Sequence, residues 1–451
     1  MGRLLDPLFR TDAMRAIFSD AGRLQGMLDF EAALARAEAG IGVIPESVAP
    51  AIAAQCKAGL FDLDALGRAA ALAGNPAIPM VKALTTLVAR KNKDAAGYVH
   101  WGATSQDAMD TGLVLQLREA LDIVEADADR LIHVLARHAK AHRSTPMVGR
   151  TWLQQAVPVT FGLKAAGAMA AMQRHRERIR ELRSRLLVIQ FGGAAGTLAS
   201  LGDRGIEVAG ALAKELKLGD PALPWHAHRD RVAEVATVLG LLAGTLGKIA
   251  QDIALMMQTE VGEAFEAAAK GKGGSSTMPH KRNPVGCAAV LSASVKVPGL
   301  VAVMLGAMPQ QHERGLGNWH AEWETLPEIC LLTSGALAQF VKIVDSLELD
   351  TGRMRSNLDA TQGLILAEAV SAALAKKMGR EAAHVLVEEA CRRAIAQGKP
   401  LQEVLGRDNK VGKLLSATAL RKLLKPENYL GAAPAFVDRA LASRAGRKKR
   451  I

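Results

Sequence analysis

The chain has 451 residues, 49% of them hydrophobic, 4% aromatic and 23% charged, and a formal net charge of +12. No run approaches about 18 uninterrupted apolar residues, and Met1 to Pro7 lack the apolar core of a secretory signal, so a cytoplasmic protein without a membrane partner is expected. The excess of basic residues without interleaved aromatics fits a surface that attracts small anions better than a nucleic-acid stripe, and no nucleic-acid partner is expected.

Alanine, leucine, arginine and glutamate dominate, so the expected class is all-α. Residues 1–101 hold amphipathic segments interrupted at Pro45, Pro50, Pro76 and Pro79, and are expected to form an N-terminal helical domain. Gly102-Ala103-Thr104-Ser105-Gln106-Asp107 follows. By itself it is a turn rich in helix N-caps. The helix after it carries Leu117, Leu121, Val124, Ala128, Leu131 and Leu135 on one face, and His142 sits near its end.

Ile179, Leu182, Leu186 and Ile189 repeat the pattern. It is clearest in Val232, Val235, Leu239, Leu242, Leu246, Ile249, Ile253 and Met256. The stretch from Arg231 to Lys270 would span about 60 Å if helical throughout. A spacing near 3.5 residues predicts a left-handed bundle, and Gly240, Gly244 and Gly247 predict close approach by neighbouring helices. So long an apolar seam predicts packing between subunits. Residues 102–351 are therefore read as a central long-helix bundle, and 352–451, punctuated by Gly363, Gly379, Gly398, Pro400 and Gly406, as a C-terminal helical domain. The basic run Arg444 to Arg450 is expected to be a frayed tail. Cys56, Cys287, Cys330 and Cys391 lie far apart, without metal-ligand spacing, and read as buried thiols; no metal is expected.

The segment Gly271-Lys272-Gly273-Gly274-Ser275-Ser276-Thr277-Met278-Pro279-His280-Lys281-Arg282-Asn283-Pro284 carries the chemistry. Its glycines leave many backbone N–H groups for an anion. Asn283 and Pro284 read as N-cap and first residue of a helix from Val285 to about Val297, whose positive end would face the loop. His280 reads as support for the loop. Trp319, His320 and Trp323 form an aromatic cluster that suits a pocket or a core equally.

This loop resembles the third signature of the fumarase/aspartase superfamily, and Gly102–Asp107 and Gly149-Arg150-Thr151-Trp152-Leu153-Gln154-Gln155-Ala156 resemble the first and second. The resemblance implies a three-region helical fold, no cofactor, and a homotetramer whose active sites are shared between subunits. It implies Ser275 as the residue that moves a proton α to a carboxylate, with Ser276 as the alternative. It implies Lys281 and Asn283 as a carboxylate clamp, Thr104, Ser105 and Gln106 as further carboxylate ligands, and Thr151 and Trp152 as pocket residues. Arg282 and Arg314 stand behind these.

The family commonly has a histidine, the general acid for a departing nitrogen base, where this chain has Trp152. A carboxylate of pKa about 4 leaves unaided, so the departure suits a reaction in which the leaving group, or the nucleophile in reverse, is a carboxylate of the same molecule. The pattern is most similar to the cycloisomerase branch of the superfamily. That branch implies ring closure of an unsaturated small polycarboxylate in aromatic catabolism. The alternative is an adenylosuccinate- or argininosuccinate-type lyase releasing fumarate. A non-catalytic scaffold is disfavoured by the intact loop from Ser275 to Asn283.

Overall fold

The computed structural model describes residues 4–268, 271, 273–274, 278 and 280–447, the last four of these by backbone alone. Ser275, Ser276, Thr277 and Pro279 lie outside the described residues. The chain is 71% helical and 4% strand, as the all-α expectation required. Among the described residues six helices exceed twenty residues: α1 (Asp20–Ile41), α2 (Ser105–Ala141), α3 (Phe161–Leu186), α4 (Asp230–Met256), α5 (Val285–Gly306) and α6 (Asn318–Asp345).

The chain folds as two compact units. One comprises residues 1–129, 174–247 and 289–339; the other comprises 130–173, 248–288 and 340–451. In the first unit, α1 begins where the Ser19 hydroxyl accepts the Gly22 N–H at 3.0 Å, and it stops at Gly42, whose φ of +80° is left-handed. Gly26 of α1 and Gly112 of α2 meet backbone to backbone. A Cβ on either would stand 2.8 Å from the other's backbone atoms, so only glycine permits this crossing.

The seam of α4 is buried from Val232 to Met256, with Ile249 half-buried. Gly240 lies against Val301 of α5 and Gly247 against Ser294, where added Cβ atoms would come within 2.9 and 2.5 Å. Gly244 meets nothing within 4 Å. Two of the three glycines therefore serve close approach within the chain.

The second unit holds an antiparallel hairpin, β1 (Pro146–Thr151) and β2 (Gln154–Thr160), and the short pair β3 (Ala264–Phe265) and β4 (Glu348–Leu349). Its C-terminal core gathers Val370, Leu374, Ala383, Leu386, Leu401 and Leu405.

Several expectations need correction. The helix expected from Arg231 to Lys270 ends at Met256. There the chain turns through Gly262 at φ +59°, because Arg353 draws off the carbonyls of Glu260 (2.8 Å) and Val261 (3.1 Å). The helix from Val285 runs on to Gly306, with Pro298 inside it. The second signature, whose residues announce no element of their own, lies on a β-hairpin. The terminal helix continues to Arg447, so the first part of the expected frayed tail, Arg444 to Arg447, is helical, and Lys448, Lys449 and Arg450 lie outside the described residues. Cys56, Cys287 and Cys330 are buried, but Cys391 is only half-buried.

Uninterrupted apolar runs also understate the hydropathy. Three helices, α4, α5 and α6, are long and apolar enough to cross a membrane by length and composition. Within the chain 56% and 72% of the apolar windows of α4 and α6 are buried, but only 28% of that of α5. Helix α5 thus carries apolar surface that its own chain leaves uncovered.

Candidate active site

The first group of nominated residues stands at the start of α2. Gly102 takes φ +70°, with Leu201 packed 2.6 Å from where a Cβ would be. The Thr104 N–H donates to Asp107 Oδ2 at 3.0 Å, and the Asp107 N–H donates to the Thr104 carbonyl at 2.9 Å. This reciprocal cap fixes the helix entry. Asp107 has no exposed surface. It also accepts from the N–H groups of Gly192 (3.1 Å) and Gly193 (2.9 Å), and it lies 2.7 Å from His226 Nε2. One carboxylate therefore locks the Thr-Ser turn onto a second loop.

With the cap supplied by Asp107, the Thr104 hydroxyl turns to Arg314, from which it accepts at 3.2 Å. Thr104 and Ser105 are half-buried. Gln106 is fully buried, and its Nε2 donates to Asp110 and to the His226 carbonyl, each at 2.9 Å. As placed, its amide nitrogen holds the turn from behind, while its Oε1 is buried without a partner among the described residues, so the expectation that Gln106 reaches a ligand stays a proposal.

Deeper in the same unit Arg229, wholly buried, bridges Asp110 (2.7 and 3.0 Å) and Glu322 (2.6 and 3.0 Å). Burial opposes its charge, but the two carboxylates raise its pKa above the ordinary arginine value. Trp319 donates to Asp110 at 3.3 Å and is core, whereas the exposed His320 ring lies tilted, 4.3 Å from that of half-buried Trp323. The aromatic cluster is thus core at one end and surface at the other.

The second group occupies the hairpin tip. Thr151 pairs with Gln154 across Trp152 and Leu153, which take φ of +53° and +63°. Left-handed backbone at two bulky residues costs about 1–2 kcal/mol each, and such strain persists where the surroundings over-determine it. The stem supplies that hold. Arg150 grips buried Glu263 in two bonds of 2.7 and 2.8 Å, and Asn357 adds a third at 2.9 Å. The tip itself projects, with Trp152 97% and Leu153 78% exposed.

The third group lies at the foot of α5. Asn283 N–H donates to the Gly273 carbonyl at 2.9 Å, closing the base of the glycine-rich segment. Gly273 takes φ +66°, and a Cβ there would meet the Asn283 oxygen at 2.7 Å, so glycine is obligatory. Lys281 is exposed and Asn283 half-buried. Pro284 accepts the first helical bond, from Ala288 N–H at 2.9 Å, so the cap falls one residue later than expected, while the helix itself starts at Val285 as read. Its first-turn amides are already occupied. Glu266, buried, accepts from Gly286 N–H at 3.2 Å and Cys287 N–H at 2.8 Å. The expectation that this helix end serves a bound anion is corrected: it binds a carboxylate of its own chain. Arg282 donates to the Glu266 carbonyl (2.6 Å) and pairs with Glu348 (2.8 Å), so it braces the segment.

The candidates therefore stand on three elements: Thr104, Ser105 and Gln106 in one unit, and Thr151, Trp152, Lys281 and Asn283 in the other. Sequence reasoning missed Asp107, His226, Glu263 and Glu266. Asp107 lies inside a quoted segment and its third-position carboxylate was a legible capping signal; the others carry no local motif. No group of three or more His, Cys, Asp or Glu that could hold a metal ion occurs among the described residues.

Residues 9–299 match the family described as Lyase, and residues 363–440 match the family described as Adenylosuccinate lyase C-terminus. The chain is 59% identical over 98% of its length, and 96% of the relative's, to a 3-carboxy-cis,cis-muconate cycloisomerase of Pseudomonas aeruginosa. It is 58% identical over 93% of its length to an enzyme of the same name from Pseudomonas putida, covering 99% of that relative. The crystal structure of the 3-carboxy-cis,cis-muconate lactonizing enzyme from Pseudomonas putida superposes with a TM-score of 0.94 at 56% identity, covering 98% of this chain and 99% of that one. The loop, the Thr-Ser turn and the near full-length likeness agree, and the chain belongs to the lyase family of the fumarase/aspartase superfamily.

Proposed function

We propose that this chain is a cycloisomerase that interconverts 3-carboxy-cis,cis-muconate and 4-carboxymuconolactone. The observation that carries this reading is the likeness to cycloisomerases over nearly the whole chain. In ring closure one substrate carboxylate oxygen adds to the far carbon of a double bond. The electron pair moves onto the carbon α to another carboxylate, which then takes a proton. The nucleophile is ionised at neutral pH and needs no base. In reverse it departs as a stable anion and needs no acid, so Trp152 in place of a histidine costs the reaction nothing.

Ser275 is the proton carrier in this reading. Lys281 and Asn283 hold the carboxylate on which charge builds, an electrostatic role for a fixed ammonium and amide. Thr104 and Ser105 hold a second carboxylate, with Gln106 positioning their turn. Thr151 and Trp152 shape the pocket around a flat conjugated substrate.

The working unit is a homotetramer in the same reading. Trp152 and Leu153 project from a strained tip into solvent, as residues do when a second copy receives them. On α5, Val295 is 78% exposed and Gly299, Ala302 and Gly306 are exposed along the same face. The spacing is that of a helix seam, and the small residues let another helix approach closely. The protein acts in the cytoplasm on this reading. A lyase releasing fumarate from adenylosuccinate is the disfavoured alternative, because Trp152 stands where its acid would be. The two separate cleanly by product: incubation with 3-carboxy-cis,cis-muconate is expected to yield the lactone by NMR, and incubation with adenylosuccinate no fumarate. The opposite pattern refutes the assignment.

A further inference from the structure

The surplus of basic residues gathers at one place that the chemistry above does not use. In the first unit a cavity of about 430 Å³ opens between α1, the turn at Cys56 and Lys57, α2 and the end of the helix Gly205–Leu216. That is room for a small organic molecule. Its floor is apolar, with Ala32, Leu115 and Leu216 buried. Cys56 belongs to the same floor. Burial pushes its thiol up to about 12, and it donates to the Ile52 carbonyl at 3.4 Å, so it is neutral and unreactive.

The rim is cationic. Arg36, Lys57, Arg118 and Lys217 surround the opening, against two carboxylates, Asp29 and Glu215. Both carboxylates are engaged: Glu215 accepts from Arg36 at 2.7 Å, and Asp29 accepts from Gln25 at 2.7 Å. Lys57, Arg118 and Lys217 form no ion pair among the described residues. The backbone fixes two of these three. Arg118 Nη1 donates to the Leu216 carbonyl at 2.9 Å, which ties α2 to the end of the neighbouring helix. Lys217 caps that helix at φ +54°, a left-handed position that glycine usually fills, and so a charged side chain stands at the mouth where none would be cheaper.

We propose that this cavity is a second anion site, separate from the Thr104 turn, that takes a small organic acid with two carboxylates joined by an apolar body. Three unpaired cations on opposite sides of the opening call for more than one anionic group. The apolar floor calls for carbon between them, which an inorganic ion lacks. Leu115 and Arg118 lie ten and thirteen residues beyond Ser105 on α2, or roughly 15–20 Å along the helix, too far for one such ligand to reach both places.

Isothermal titration with heptanedioate tests this, in the wild-type chain and in Lys57→Gln/Lys217→Gln. Both lysines are exposed, so the fold is kept, and an unchanged Tm checks it. The double variant is expected to bind one equivalent fewer per chain, or to bind that equivalent at least about tenfold more weakly, the worth of two charged contacts discounted for solvent. Its kcat/KM for the muconate is expected to match the wild type, because neither lysine belongs to the reaction site. Equal binding by the two chains overturns the proposal. So does a large loss of kcat/KM in the variant, which would put the lysines in the reaction site. Inorganic phosphate that displaces heptanedioate at equal concentration also overturns it, since the apolar floor would then have no role. If the wild-type chain turns over no muconate, the functional reading fails and the titration still decides this site.

Discussion

By the resemblance to the family's second signature, Trp152 stands where a lyase with an amine leaving group keeps its acid, and the cycloisomerase account gives it no proton to move. Trp152→His is therefore expected to lower kcat/KM for the muconate, through loss of pocket shape, and to gain no fumarate-releasing activity; steady-state kinetics on both substrates check this. Glu38 makes a prediction about stability. Burial, then Glu31, raises its carboxyl to about 9, from an ordinary 4.5. Between those values the folded chain holds a proton that the unfolded chain has lost, so stability falls as pH rises across that window. Glu38→Gln is expected to flatten the fall, by an amount on the order of a few kcal/mol at pH 9; denaturant melts at pH 5, 7 and 9 measure it. Residues with a chemical motif were legible at this scale: Lys281 and Asn283 sit at the foot of a helix as read. Asp107 and His226 touch across 119 positions, and nothing local announces such a pair.

Glu266 shows how an element can reassign a site. Its carboxylate caps α5 through Gly286 and Cys287, so the positive end that the sequence offered to substrate is used to anchor the segment. Glu266→Ala is expected to destabilise the protein by about 1–2 kcal/mol, the usual cost of losing a cap. Chemical denaturation checks the stability, and kcat is expected to fall with it because the segment loses its anchor. The seams of α2, α3 and α4 were legible from spacing alone, since burial follows the helical repeat. The end of α4 was not, because Arg353, far along the chain, takes the carbonyls of Glu260 and Val261 just beyond its last turn. The hairpin was hidden too. Trp152-Leu153 lacks the Asn-Gly or Gly signals that mark a two-residue turn, and tertiary bonds from Arg150 to Glu263 hold what local preference would not.

At the scale of the molecule the account needs several copies of the chain. The division into regions 1–101, 102–351 and 352–451 stays a proposal about sequence order, while contacts group the chain into two interleaved units. Helix α5 has only 28% of its apolar window buried within its own chain, which makes its open face the test of assembly. Val295→Arg, a charge on that face, is expected to break the proposed tetramer to smaller species by light scattering and to remove most activity. An unaltered, active tetramer would show that the seam lies elsewhere. The most direct measurement is loss of the diene absorbance of 3-carboxy-cis,cis-muconate with purified wild-type chain and Ser275→Ala side by side. The account expects rapid loss with the wild type and a rate lower by about 100-fold or more in the variant, the usual size of a lost proton-transfer group. An inert wild type, or a variant that keeps pace with it, contradicts the claim that this chain closes the lactone ring by delivering a proton from Ser275.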